Sequence, residues 1–310
     1  MDIVALILTV LGLILFEVVS SIDNAIINAE VLSTMQEKSR RWFLFWGILF
    51  GVFLVRGLLP WLIVWAAVPD LGFAGSFMAA FSSDPSVHDA VDHAKPVLLM
   101  GGGIFLVLLF LHWLFLEEKN YGLPTEKFFA KHGVWFYTIA AVTLAVIVYF
   151  AIQSSALLGF AAVVGSTVFF ITHGFKQNAE QAENNLKKSA MSDISKILYL
   201  EIIDMTFSID GVLGAFAFTM SVPIILIGNG IGAVVVRQLT IGNIERIKAY
   251  RYLKNGAMYS ILGLGGCMVA EGFGVHLPSV IVPVVTFAII GFFLIKSIMA
   301  NRRDAREAKK

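Results

Sequence analysis

The chain has 310 residues, of which 58% are hydrophobic and 15% charged, and its net charge is +1. So little charge excludes an ordinary soluble domain, and the near-neutral balance gives no basis for nucleic-acid binding. A single cysteine, Cys267, excludes both an internal disulfide and a cysteine-based metal cluster.

Apolar runs of about 20 residues recur along the chain, which predicts an all-α polytopic membrane protein. Nine spans are expected, over residues 3–33, 41–67, 96–116, 134–151, 155–174, 196–220, 223–241, 256–271 and 279–298. A β-barrel would show alternation instead of continuous apolar runs. The first span lacks a basic leader and contains Glu17, so no cleaved signal peptide is expected. Segment 68–95 holds Pro69, Asp70, Asp84, Pro85, Asp89 and Asp92. It reads as an external loop with a short interfacial helix around Phe73–Phe81. Segment 174–196 reads as a cytoplasmic helix or linker.

Basic residues follow the odd-numbered spans, in groups such as Lys38, Arg40 and Arg41, or Arg302, Arg303 and Arg306. Lys95 lies opposite, and Arg56 and Arg237 lie within spans. The positive-inside rule then places the N-terminus outside and the C-terminus in the cytoplasm.

One polar motif occurs twice within apolar surroundings. The first copy is Glu17-Val-Val-Ser-Ser-Ile-Asp23-Asn24, and the second is Asp204-Met-Thr-Phe-Ser-Ile-Asp210-Gly211. The span after each motif carries Gly, four apolar residues and Arg: Gly51 to Arg56, then Gly232 to Arg237. Five spans separate the copies, so the second enters the membrane from the opposite side. This predicts an inverted-topology repeat, as in many secondary transporters. The division is residues 1–116 for the first repeat and 117–195 for an inserted hairpin with a linker. Residues 196–271 form the second repeat, and 272–310 a final span with a basic tail.

Glu17, Ser21, Asn24 and Asn28 form one polar stripe on a regular helix, and Glu201, Asp204 and Ser208 form another. Asp23 and Asp210 lie more than about 90° from these stripes. Either the helices break near Ser20–Asn24 and Ser208–Gly211, or each Asp faces a neighbouring helix and pairs with Arg56 or Arg237. A break is favoured, because Ser, Asp, Asn and Gly weaken helix interiors.

Five acids (Glu17, Asp23, Glu201, Asp204, Asp210) against two arginines leave a formal charge of −3 (−5 + 2). Seven buried charges would together cost on the order of 20 kcal/mol if left alone. A divalent cation would reduce the imbalance. Carboxylate, amide and hydroxyl oxygens suit Mn²⁺, Mg²⁺ or Ca²⁺; Cu⁺ and Zn²⁺ prefer the Cys and His that both motifs lack.

Ser21-Ile-Asp-Asn-Ala25, preceded by an acid, and Glu201-x-x-Asp-x-x-Phe-Ser-Ile-Asp210 resemble the TerC family of bacterial integral membrane proteins. The resemblance covers spans one to three and six to eight. It implies a multi-pass protein of the bacterial plasma membrane, associated with Mn²⁺ export or tellurite resistance. It also implies Glu17, Asp23, Asn24, Glu201, Asp204 and Asp210 as metal-site residues. Ser21, Asn28, Arg56, Ser208 and Arg237 would support them. Two departures stand out: Gly211 replaces the usual Ser, and spans four and five are extra.

The leading expectation is therefore a divalent-cation exporter, with Mn²⁺ favoured and a metal ion and the lipid bilayer as partners. The alternatives are an exporter of an amino acid or other small solute, held by the two arginines, and a membrane scaffold in a metal or tellurite stress response. No hydrolase motif such as His-Glu-x-x-His or Gly-x-Ser-x-Gly occurs, so no enzyme is expected. Glu117 and Glu271 read as solvated span ends, His112 and His173 as packing residues, and Gly101-Gly102-Gly103 as close helix contact.

Overall fold

The computed structural model describes residues 2–47, 57–58, 61–62, 65, 72–81, 85–119, 122–188, 192–242 and 249–307, and among them there is no β-strand. In chain order the helices are α1 (Ile3–Ser20), α2 (Ile22–Ser33), α3 (Glu37–Trp42) with a π-helical turn (Phe43–Gly47), and α4 (Gly72–Phe81). They continue with α5 (Pro85–Leu116), α6 (Pro124–Lys131), α7 (Phe136–Ser154) and α8 (Ala156–Lys188). The last four are α9 (Asp193–Ala215), α10 (Val222–Gly242), α11 (Leu253–Gly272) and α12 (Ile281–Glu307).

Among the described residues, five stretches are long and apolar enough to cross a membrane: Ile3–Ser20, Ala94–Leu116, Gly133–Ser154, Ala156–Phe175 and Ile281–Asp304. They fall on expected spans one, three, four, five and nine. Spans six, seven and eight are α9, α10 and α11, whose apolar runs are interrupted by polar residues and glycines. Most of the expected second span lies outside the described residues. The chain is thus an all-α polytopic membrane protein.

One polar segment departs from the reading as loop. Residues 85–95 continue span three as one helix, Pro85–Leu116, with Pro96 inside it. Outside the apolar stretch a helix needs no lipid, and this one is pinned by Lys95, whose ammonium lies 3.1 Å from the Glu271 carboxylate on α11. Helix α4 matches the expected interfacial helix. The Trp61 indole N–H donates to the Phe73 carbonyl over 3.1 Å, and their rings lie 4.1 Å apart.

The core centres on α5, where Leu99, Met100, Ile104, Phe105 and Leu106 are buried. Helix α11 runs antiparallel to α5: Gly103 faces the Gly265 carbonyl and Val269, while Gly272 faces Pro96 and Met100. Helix α8 runs parallel to it, with Gly165 against Gly101 and Phe105 5.9 Å from Phe169. The triple glycine is therefore a packing seam, as expected. His112 and His173 extend this seam as a tilted ring pair with centroids 3.7 Å apart. Helix α7 covers α8 and exposes Val142, Val146, Tyr149 and Phe150, the apolar face a lipid-contacting helix needs.

Glu117 is not simply solvated: its carboxylate meets Lys254 of α11 at 2.6 Å. Together with Lys95–Glu271, this pair ties both ends of the apolar stretch of α5 to α11. Beside it, Lys119 donates to the Trp113 carbonyl and lies 3.9 Å over the Trp113 ring. Burial, the largest cause, pushes the Lys119 ammonium down to about 8.

Glu126 on α6 is fully buried there. Its Oε2 accepts from the Leu123 N–H and from the Asn255 amide, each at 2.7 Å. Glu126→Ala strands a buried amide and removes a helix cap, a loss of about 1–3 kcal/mol. A lower melting temperature than wild type in detergent is the expected result. Glu126→Gln, which keeps an acceptor oxygen, falls less.

Candidate functional site

The first motif sits where one helix turns into the next. Ser20 and Ser21 are weak helix formers, and the backbone turns at Ser21 (φ −89°, ψ 2°) between α1 and α2. The turn is slight. The Ser21 N–H still bonds the Glu17 carbonyl at 3.1 Å, and the Ala25 N–H bonds the Ser21 carbonyl at 2.9 Å. The expected break is therefore present in this copy, as a kink and not a wide unwinding.

Glu17 is fully buried, and the Ser21 hydroxyl donates to its Oε1 over 2.7 Å. The predicted Glu17–Ser21 stripe thus forms. Further along it, the Asn28 Oδ1 is buried with no hydrogen-bond partner among the described residues. Asp23 and Asn24 begin α2, and their side chains lie outside the described residues, as do those of Asp204 and Ser208.

The second motif does not break. Helix α9 is continuous from Asp193 to Ala215, through Ser208–Gly211. Tight packing explains the difference: a Cβ on Gly211 would lie 3.0 Å from the Glu17 Oε2. The missing side chain lets a regular helix press directly on the first motif. Asp210 therefore keeps its helical position, well away from the stripe of Glu201 and Asp204. Of the two sequence alternatives, facing a neighbouring helix is the one that fits this copy.

Glu201 is half-buried, and its Oε1 lies 2.5 Å from where a Cβ on Gly47 would be. Arg237 donates to the Phe43 carbonyl at 2.6 Å and sits 5.7 Å over the Phe43 ring. Arg56 lies outside the described residues.

Contact registers give the directions. Gly12 meets Phe218, Phe16 meets Gly214 and Glu17 meets Gly211, so α1 and α9 are antiparallel. Leu13 meets Gly228 and Glu17 meets Gly232, so α1 and α10 are parallel. Arg237 on Phe43 and Leu226 near Gly57 set α10 antiparallel to the chain after α3. Two copies of opposite topology require these relations.

A longer spacing signal accompanies them. Gly47, Gly51 and Arg56 are matched by Gly228, Gly232 and Arg237, so Gly-x3-Gly-x4-Arg occurs in both copies. The sequence reading used only its last six residues. The first glycine lets each helix approach a motif helix, at Glu201 in one copy and at Leu13 in the other.

The helix ends near the motifs are also fastened. The Lys196 ammonium donates to the Thr34 carbonyl and hydroxyl, at 3.3 and 3.0 Å. The Ser39 hydroxyl, and then the Gln36 N–H, hold the Asp193 carboxyl below its ordinary range. The start of α9 and the end of α2 thus share one side of the molecule.

Sequence reasoning missed Asn229 of α10. It is fully buried, and neither its Nδ2 nor its Oδ1 has a hydrogen-bond partner among the described residues. Among those residues no group of three or more His, Cys, Asp and Glu side chains converges as a metal cluster.

A family profile described as "Protein of unknown function (DUF475)" matches residues 22–304. The chain belongs to the DUF475 family. The DUF475 match opens inside the first motif, so Asp23, Asn24 and the entire second motif lie within it while Glu17 precedes it. Neither a curated protein nor a solved structure matches the chain.

Proposed function

We propose that this DUF475 chain is a secondary exporter of a divalent metal cation, with Mn²⁺ the favoured cargo. The observation that carries this reading is the contact of the buried Glu17 carboxylate with Gly211, beside Asp210. The first motif thereby touches the second in apolar surroundings, where acids are costly and functional. A cation of charge +2 reduces the formal −3 of the five acids and two arginines to −1. Oxygen ligands suit a hard ion. Glu17 and Asp210 are its proposed ligands at this contact; Asp23, Asn24, Glu201 and Asp204 are proposed to receive it along the path, with Ser21, Asn28 and Ser208 supplying neutral oxygens. The TerC resemblance favours the same cargo and the bacterial plasma membrane. The basic residues favour an N-terminus outside and a C-terminus within.

Transport then consists of exposing this junction alternately to the two faces. The kinked α1–α2 and the straight α9 supply the two sides of the site. The engagement of Arg237 with Phe43 weighs against arginines that await a solute carboxylate.

The test is Mn²⁺ flux into proteoliposomes. Asp23→Asn and Asp210→Asn are each expected to abolish flux while preserving a monodisperse, helical protein. Flux at the wild-type rate in both variants would remove the motifs from transport.

A further inference from the structure

Asn229 is a costly residue where it stands. A buried amide without partners has lost its water and gained nothing in return. It is flanked by Gly228 and Gly230, so three successive residues of α10 are poor helix formers. Gly228 has a packing reason, since a Cβ there would lie 2.5 Å from the Leu13 Cβ. Asn229 has none: leucine has the same branched side-chain skeleton and no polar atoms to desolvate.

Its register ties it to the site. Asn229 is three residues before Gly232, so the two share one face of α10, with Cβ positions about 5–6 Å apart. Gly232 is where that face meets Glu17: a Cβ there would lie 2.6 Å from the Glu17 Cβ and 2.7 Å from its Cγ. Asn229 and Glu17 thus start within about one helical turn of each other, near enough for both to reach one ion at metal–oxygen distances of about 2.0–2.6 Å. A second amide oxygen, that of Asn28, about three turns beyond Glu17 along α1–α2, is buried without a partner among the described residues.

We infer that Asn229 is a cation ligand of the Glu17 site, an amide oxygen contributed by α10 from outside both acidic motifs. The inference rests on the cation-carrier reading and extends it to a residue that neither motif contains. A neutral oxygen serves where another carboxylate would hold a hard divalent ion too tightly to release. Its position on the N-terminal side of Glu17 makes it the ligand met on that approach. The cost of burying it in the metal-free protein is recovered when the ion binds.

The experiment is Mn²⁺ binding to the purified full-length protein, measured by calorimetry for wild type, Asn229→Leu, Asn229→Asp and Glu17→Gln. Asn229→Leu is expected to weaken binding about tenfold or more, while Asn229→Asp, which keeps the oxygen, stays within about threefold of wild type or tighter. The metal-free melting temperature of Asn229→Leu is expected to equal or exceed that of wild type, which a merely structural amide would not give. Asn229→Ala, which cannot clash, replaces the leucine variant should that one aggregate. Wild-type affinity in Asn229→Leu with affinity lost in Glu17→Gln overturns the role of Asn229 and leaves the carrier reading standing. Equal loss in the leucine and aspartate variants overturns the ligand role too. A wild-type protein that binds no Mn²⁺ overturns both.

Discussion

Glu17→Gln is expected to lower Mn²⁺ flux about a hundredfold or more without unfolding the protein. The exchange keeps the shape of the side chain and an oxygen to accept the Ser21 hydroxyl, now at 2.7 Å. It removes one negative charge from a fully buried position. A buried charge in apolar surroundings is costly, so neutralising it is not expected to unfold the protein. The loss falls on the bound state: about 2.7 kcal/mol of cation binding corresponds to a hundredfold in affinity. The paired measurement is proteoliposome flux beside the metal-free melting temperature. Flux within twofold of wild type would mean that Glu17 is not at the site.

Gly232→Val is expected to destabilise the protein by about 1–3 kcal/mol or more and to abolish flux. A Cβ at this position meets the Glu17 Cβ at 2.6 Å and the Ile14 carbonyl at 3.1 Å, before the two valine methyls are counted. The carbonyl is backbone and cannot swing aside, so α10 must move off α1 at the level of the acid. Gly266→Val on α11 is the control, because nothing lies within 4 Å of a Cβ there. Thermal unfolding of the two variants should separate clearly. Equal melting temperatures would show that the α1–α10 seam is not close-packed.

What the sequence made legible follows from what its signals encode. Charge inside apolar runs, and its repetition, revealed the two motif helices, because lipid permits few other reasons for such residues. The kink at Ser21 was legible in the Ser-Ser pair. The straight course of α9 was not, because it depends on Gly211 lying against a side chain of another helix. The helical state of residues 85–95 was hidden for the opposite reason. Polarity forbids lipid but does not forbid a helix, and the anchor, Glu271, is far away in sequence. Glu126 carries no signal in the sequence, because its burial depends on α6 folding back onto Asn255. Asn229 went unnoticed because a single amide between glycines carries no period. Only its burial without partners marks it.

The covalent link from α8 into the helix of the second motif is short. Helix α8 continues from its apolar stretch, which ends at Phe175, to Lys188. Only residues 189–192 separate it from α9. A fully stretched segment crossing those five peptide links reaches about 17 Å. The leading end of α9 stays on that short leash, anchored to a rod about 50 Å long. The start of α9 therefore cannot move farther than that span from the end of α8.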